Sequence, residues 1–304
     1  MRLRVFTAGR WTAWFAPAAL TLASTLAIAQ TAPAPAPAAP TDETDQEIIS
    51  QDVVDNPGGD FSRPTDLFQI RSEYKTAPGS GAQKGTITEV TTERLTFRLD
   101  QKYDIAPQWV LGLRTDLPLA TKDPINSYNP SGDFVYGIGD ADVQAALINT
   151  INARWKFGFG SRLYAPTGGD VLGSGKWQIV PGFAVRYALP EVGWGSYIEP
   201  LVRYDQSFAG DPARKSISNL QIQPTFNLGL RDNWFIQFYP SPDVRWNFGP
   251  PATGQTGRLF LPFDASFGRK VADNMALSLE IGVPIIKEYP VYNFKTEARL
   301  NLNF

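Results

Sequence analysis

The sequence of 304 residues contains no cysteine and no histidine. Without cysteine the chain forms no disulfide and carries no lipid on an N-terminal cysteine. Without histidine the Ser-His and Asp-His arrangements of many hydrolases are excluded, and a metal site would consist of oxygen ligands that suit hard cations. The composition argues against an enzyme, and the sequence predicts no catalytic residue, no cofactor and no metal.

Long apolar segments are also scarce. Only residues 11–28 approach the roughly 20 apolar residues that a helix needs to cross a bilayer. Three arginines precede this run, and the small residues Ala27 and Ala29 end it, which is typical of a secretory signal peptide over residues 1–29. An uncleaved membrane anchor is the alternative, but the alanine-rich end favours cleavage before Gln30.

The sequence also lacks a large net charge, because its basic and acidic residues are nearly equal in number. The formal net charge is -2, whereas a nucleic-acid-binding surface is basic, so no nucleic-acid partner is predicted. Residues 31–40 read TAPAPAPAAP, and residues 41–60 are acidic with little apolar content. These features predict a disordered leader over residues 30–65, a plain spacer in preference to a segment that contacts a partner.

From residue 66 onward, alternating apolar and polar residues are separated by turn residues, which is the pattern of a transmembrane β-barrel. In the last stretch, residues 292–304, Phe294, Leu300 and Leu302 share one face of a strand and charged residues the other. Twelve strands are predicted, at residues 66–76, 86–101, 108–119, 138–150, 153–165, 176–189, 194–208, 216–230, 233–248, 257–269, 273–286 and 291–304. An even number suits a single-chain bacterial barrel.

The links between these strands alternate in length, as periplasmic turns and external loops do in such barrels. Short links lie near residues 105–107, 151–152, 190–193, 231–232 and 270–272, and longer ones at 121–137, 166–175, 209–215 and 249–256, whereas the final external link at 287–290 is tight. The sequence therefore predicts an all-β, antiparallel, up-and-down transmembrane barrel over residues 66–304, with both of its ends and the leader in the periplasm.

Aromatic residues are predicted to mark both membrane boundaries, where Trp and Tyr concentrate. The periplasmic boundary receives Trp109, Trp155, Trp194 and Trp234, the opposite one Trp177, Trp246, Phe208, Phe248 and Tyr292, and the chain ends at Phe304. A terminal aromatic of this kind resembles the assembly signal of bacterial outer-membrane barrels. The outer-membrane assembly machinery is therefore an expected partner, together with the lipid bilayer.

Prolines at positions 200, 224 and 240 are predicted to face lipid on three consecutive strands. Proline donates no hydrogen bond to a β-ladder. The favoured interpretation is a set of tolerated bulges, and the alternative is a weakened wall through which a lipophilic solute leaves sideways.

Charged side chains of both signs are predicted to face the lumen. They are Arg71, Glu73, Lys75, Arg94, Arg98, Arg114, Asp116, Asp140, Asp142, Arg154, Lys156, Arg162, Arg186, Glu199, Arg203, Asp205, Asp243, Arg245, Asp264, Glu280, Lys295, Glu297 and Arg299. Such charges either brace the barrel as ion pairs or line a polar path and select the solute. Asp140 and Asp142 also suit a Ca²⁺ site or a carboxylate pair, but ordinary lumen charges are the favoured interpretation.

Three short motifs carry a resemblance to a known family. They are Gly137-Ile138-Gly139-Asp140, the segment PTGGDVLGSGKW at 166–177, and SFAGD at 207–211 leading to LQIQP at 220–224. In this order they resemble the outer-membrane β-barrel family associated with the meta-cleavage pathway of phenol degradation, from about residue 66 to the C-terminus. The resemblance implies a porin-like channel or transporter for small solutes, aromatic or hydrophobic compounds among them, and it assigns no functional residue.

The predicted function is passive passage of small solutes across the outer membrane. A closed barrel that serves as a structural or adhesive anchor is the alternative, and it is favoured if the lumen charges pair completely. An enzyme that relies on carboxylates alone is disfavoured.

Overall fold

The computed structural model describes residues 62–83 and 85–304. The predicted signal peptide and residues 30–61 of the predicted leader lie outside this part of the chain. No helix within the described part is long and apolar enough to cross a membrane.

The described residues form a single antiparallel sheet with very little helix. The strands are β1 Leu67–Ser80, β2 Ile87–Ala106, β3 Trp109–Lys122, β4 Val135–Ile138, β5 Asp142–Thr150, β6 Trp155–Tyr164, β7 Lys176–Ala188, β8 Tyr197–Gly210, β9 Ser218–Gly229, β10 Trp234–Phe238, β11 Val244–Asn247, β12 Leu259–Ala272, β13 Met275–Lys287 and β14 Phe294–Asn303. A one-turn helix, α1, spans Gly169–Leu172, and a 3-10 turn spans Arg231–Asn233.

Two positions in the wall are occupied by split strands. β4 and β5 both pair with β3, and β10 and β11 both pair with β9 and β12. The fourteen strands therefore occupy twelve wall positions, and the prediction of a twelve-stranded antiparallel barrel is confirmed.

The barrel closes through pairing of its first and last strands. β1 pairs with β14 in a register that begins at Leu67 opposite Asn303 and continues to Thr76 opposite Phe294. Closure gives each of the twelve wall positions a neighbour on both sides, and of the described strands only the short β4 pairs on one side, with β3.

The wall is apolar outside and polar inside. In β13, Leu277 is 46%, Leu279 50% and Ile281 47% exposed on the outer face, whereas the intervening Glu280 is fully buried on the inner face. This inverts the usual arrangement of a water-soluble domain, in which apolar side chains fill the interior. An apolar outer face is what a barrel presents to lipid.

The two ends of the barrel differ in their connections. One end, named the short-turn end, carries the links at 107–108, 151–154, 189–196, 230–233 and 273–274. The other, the long-loop end, carries the links at 81–86, 123–134, 165–175, 211–217, 248–258 and 288–293. The last short turn lies at 273–274 and not at 270–272, because pairing between β12 and β13 continues to Ala272 opposite Met275.

The prediction for Pro240 is wrong. Pro200 and Pro224 are exposed on the outer face and lie opposite each other in the ladder between β8 and β9. Tyr239, with a φ of 52°, interrupts the next strand. The segment after it bulges inward, so Pro240 is buried and lines the lumen with Pro242. A lipid-facing row of three prolines therefore does not exist.

Tyr292 also differs from its predicted place on the outer rim. It is 1% exposed, and its ring packs edge-on against Phe260 at a centroid distance of 4.7 Å. The predicted alternation fails here because β14 begins only at Phe294, and the preceding link places Tyr292 against the inner wall at Gly282.

Candidate functional site

A cavity of about 480 Å³ occupies the part of the lumen that lies nearer the long-loop end. Eleven Arg and Lys side chains and seven Asp and Glu side chains line it. Tyr164 supplies the only aromatic ring among the described lining residues. The lining is therefore polar and holds more basic than acidic side chains, although Asp100, Asp264 and Glu280 behind it neutralise some of the basic ones.

Most of the predicted lumen residues line this cavity. They are Arg71, Glu73, Lys75, Arg94, Arg98, Arg114, Asp116, Asp140, Asp142, Arg162, Arg203, Asp205, Asp243, Arg245, Lys295, Glu297 and Arg299. Asp264 and Glu280 lie behind the lining and contact Lys295. Lys122 and Tyr164 were missed, although both fall on the inward face when the alternation of β3 and β6 is followed through. Lys122 lies beyond the predicted end of its strand at residue 119.

Four charged residues of alternating sign lie on the inner faces of β2 and β3, and we call this group the checkerboard. They are Arg98, Asp100, Arg114 and Asp116. Arg98 lies opposite Asp116, and Asp100 opposite Arg114. The Arg98 guanidinium donates to both carboxylate oxygens of Asp116, at 2.7 and 2.6 Å, and Arg114 binds Asp100 with the same two distances. Each pair is bidentate, which is the strong geometry for Arg and carboxylate, so these charges brace the wall.

Lys295 is the centre of a second charge cluster. Its ammonium group contacts the carboxylates of Asp243 and Glu280 and lies 3.1 Å from Asp264 Oδ2. Oxygens of Asp243, Asp264 and Glu280 lie within 4.8 Å of one another, a spacing that suits a metal ion. The ammonium group of Lys295 already supplies a cation to all three, so the cluster has its own counter-charge.

Asp140 anchors the loop of residues 166–175 at the cavity mouth. Its Oδ1 accepts from the N–H of Gly168 at 3.0 Å, and its Oδ2 from the N–H of Ser174 at 2.6 Å. A Cβ at Gly173 would lie 2.4 Å from Asp140 Oδ1, so glycine is required at this close approach. Asp142 instead lies 3.4 Å from Arg162 Nε. The two carboxylates thus serve different partners and do not act as a pair.

Residues 62–66 cross the lumen at the short-turn end; we name this segment the strap. The N–H of Ser62 donates to Glu199 Oε2 at 3.2 Å, whereas Leu67 at the other end of the strap pairs with Asn303. Glu199 belongs to β8, which lies six wall positions from β1 in either direction around the barrel. The strap therefore reaches from one wall to the opposite one.

The strap packs against inward side chains. Arg63 is 5% exposed and its guanidinium lies 5.6 Å from the centre of the Tyr197 ring, while Arg186 lies over the same ring at 4.8 Å. Pro64 lies against Gly112, where a Cβ would be 3.0 Å from Pro64 Cβ. Residues 62–65, which the sequence assigned to the leader, thus belong with the barrel interior.

Apolar side chains fill the lumen beside the strap, and we call them the floor. Tyr197, Leu201 and Phe235 face inward and are at most 2% exposed. Together with the strap they fill part of the lumen at the short-turn end. The alternation of β8 places Tyr197, Glu199 and Leu201 on one face, and two large apolar residues on an inward face were the available sequence signal for a filled lumen.

Arg154 does not line the lumen, contrary to the prediction. It lies in the turn between β5 and β6, where strand alternation does not apply, and its Nη1 donates to Glu191 Oε2 at 2.8 Å. A backbone hydrogen bond within Glu191 and the bond from Arg154 lower the pKa of Glu191, and the same ion pair raises the pKa of Arg154.

The predicted aromatic residues occupy both ends of the wall. Near the short turns, Trp155 packs on Tyr187 and Trp234 on Phe267, each at a centroid distance of 4.6 Å, Trp109 packs edge-on against Phe157, and the indole N–H of Trp194 donates to Leu230 O. Trp177 is the second residue of β7 and Trp246 lies in β11, both toward the long loops. Phe304 is 78% exposed, and its N–H donates to Asp66 O at 3.2 Å.

Fold and site together define a closed β-barrel with an apolar outer wall and a charged lumen. No family model matches this chain, and no curated protein sequence matches it. The resemblance to the phenol meta-cleavage family therefore stays a prediction.

Solved structures of bacterial outer-membrane barrels are similar to the chain at low identity. The translocator domain of the autotransporter NalP from Neisseria meningitidis is 10% identical over 86% of this chain and 96% of that one, with a TM-score of 0.46. The KdgM porin is 11% identical over 78% and 99%, with a TM-score of 0.43. The toluene transporter TodX of P. putida is 8% identical over 79% and 90%, with a TM-score of 0.41. Since a fold does not define a function, the residues of the cavity carry the functional argument.

Proposed function

We propose that this protein is an outer-membrane channel for small, negatively charged solutes. The observation that carries the proposal is the cavity, whose lining holds eleven basic and seven acidic side chains. Charged rings along a pore select ions of opposite sign. A low-dielectric wall around such a lining raises the local concentration of anions.

The lining also indicates which solutes fit. With Tyr164 as its one aromatic ring among the described residues, the cavity offers little apolar surface to a neutral hydrocarbon. Aromatic compounds, which the family resemblance implies, suit it when they carry a carboxylate or another anionic group. Passage through the proline-bearing wall has less support than the axial path, because Pro200 and Pro224 face outward but Pro240 faces the lumen.

The strap and the packed floor make this a gated channel. Solute enters the cavity from the long-loop end, and passage to the other side requires that residues 62–66 leave the lumen. The closed structural barrel is the second candidate, and the observation that favours it is the same floor together with the braced charge pairs.

The proposal extends to the placement of the protein. The apolar outer face supports insertion in the outer membrane with the short turns in the periplasm. Export by a cleaved signal peptide and recognition of Phe304 by the assembly machinery are parts of the same proposal.

The decisive experiment measures single-channel currents of the refolded protein in a planar bilayer under a KCl gradient. We expect brief conductance steps whose reversal potential shows chloride to be more permeant than potassium. Arg245→Gln should reduce the anion preference, because Arg245 lines the cavity and lies 3.3 Å from Asp243. Lys215→Gln, in a loop outside the cavity, is the control of equal charge change. Absence of steps from a correctly folded barrel would favour the closed structural barrel.

A further inference from the structure

Three basic side chains at the long-loop end of the cavity have fewer acidic partners than the charge pairs nearer the short-turn end. They are Lys75, Arg94 and Lys122. We propose that they form a binding site for small dicarboxylates, an inference that rests on the proposed channel function and names its solute class. We call these three residues the cation triad.

The strand register places the cation triad on one patch of the inner wall. Lys75 of β1 lies opposite Thr92 of β2, and Thr92 lies opposite Lys122 of β3. Arg94 follows Thr92 by two residues and therefore points to the same side. All three cations line the cavity, and since adjacent strands are about 4.8 Å apart, the two lysine backbones are separated by about 10 Å.

The triad lacks the carboxylates that neutralise the other lumen cations. Among the described residues, Glu73 is the one carboxylate within ion-pair distance of it, 3.5 Å from Lys75 Nζ and 3.8 Å from Arg94 Nη1. Lys122 forms no ion pair with any described residue. Its charged neighbours are Lys75, Arg94, Arg214 and Asp123, and Asp123 Oδ1 accepts from the N–H of Thr91 at 2.6 Å. The patch thus carries a net positive charge. In contrast, Asp116 neutralises Arg98, whose Nη2 lies 2.6 Å from Asp116 Oδ2.

A buried donor in the triad also lacks a partner. Arg94 Nε is shielded from solvent and has no hydrogen-bond partner among the described residues. Three cations held close together repel one another, so an anion that binds between them relieves that repulsion.

The spacing selects a ligand with two anionic groups. A dicarboxylate with a short linker matches this arrangement, because one carboxylate can lie between Lys75 and Arg94, as the carboxylate of Glu73 does, and the other can reach Lys122. Charge-assisted hydrogen bonds of this kind are about twice as strong as neutral ones.

The experiment compares succinate with succinamate, in which one carboxylate is replaced by a neutral amide. Titration calorimetry on the full refolded protein in detergent should show succinate binding about tenfold or more tightly than succinamate. Lys122→Met should weaken succinate binding by a similar factor and remove the difference between the two ligands. Lys122→Arg should retain the preference, and Lys215→Met, the matched loss of charge outside the cavity, should change binding less than twofold.

Binding and conduction are measured separately, so their failures are distinct. Equal affinity for the two ligands, no succinate binding, or equal effects of Lys122→Met and Lys215→Met would overturn the dicarboxylate site even if the protein conducts anions. Succinate binding with the expected variant pattern in a protein that never conducts would support the site and contradict the channel.

Discussion

Replacement of Asp116 by Asn tests whether the checkerboard on β2 and β3 stabilises the barrel. The substitution removes the charge that faces Arg98 and retains the size of the side chain. In the native barrel both side chains of this pair are 7% exposed, and the guanidinium donates to both carboxylate oxygens. The variant therefore leaves a buried arginine without its counter-ion, beside the like charge of Arg114.

The expected cost follows from the burial of the pair. Removal of one partner from a buried ion pair destabilises a protein by about 3–5 kcal/mol. Solvent screening reduces this little at 7% exposure. With a denaturant slope near 3 kcal/mol per molar urea, the unfolding midpoint of Asp116→Asn should fall by about 1–2 M.

The assay is urea unfolding of the refolded barrel, followed by the fluorescence of the six tryptophans between residues 109 and 246. Asp104→Asn, on the neighbouring strand β2, is the matched control, since the side chain of Asp104 is 71% exposed and lies 3.1 Å from Lys102. An exposed pair of this kind contributes less than about 1 kcal/mol.

A double variant separates the loss of the pair from the presence of a lone charge. Arg98→Gln combined with Asp116→Asn leaves no uncompensated ion, so it should be more stable than Asp116→Asn alone. Equal midpoints for Asp116→Asn and Asp104→Asn would refute the reasoning, as would a double variant less stable than the single one.

Three further predictions concern the strap, the loop and the rim. Glu199→Gln weakens the acceptor that holds the strap, so the fraction of time spent conducting in a planar bilayer should rise; an unchanged fraction would contradict a gate at this position. Asp140→Asn loses the charged acceptor of the Ser174 N–H, whose hydrogen exchange should accelerate about tenfold or more. Arg154→Gln should raise the pKa of Glu191 toward its ordinary value, measured by NMR titration. Because that pKa is lowered in the folded protein, the stabilisation by this pair is present above the ordinary pKa of Glu and disappears as the pH falls through the lowered one.

The wall of the barrel was largely predictable because its pattern is local. Alternation between two faces has a period of two residues along any strand, and β13, with Leu277, Leu279 and Ile281 outside and Glu280 inside, shows it without reference to other strands. Turn residues divide the chain in the same local manner. The strand number and the inward direction of most lumen charges follow from these two signals.

The departures all occur where the chain leaves regular strand geometry. Pro240 turns inward after the left-handed Tyr239, Arg154 lies in a turn, and Tyr292 lies in a link before β14. Alternation predicts the direction of a side chain only while the backbone stays extended, so it could not predict the directions of these three side chains.

The site itself depended on the tertiary structure. The sequence by itself determined that both charge signs face a lumen, but pairing of those charges depends on the register between strands that are distant in the chain. Closure of β1 on β14 and the crossing of the strap to Glu199 of β8 join segments more than 100 residues apart. Such contacts leave no periodic signal along the chain, so only the folded barrel decided which cations are braced, which remain available for an anion, and where the lumen is closed.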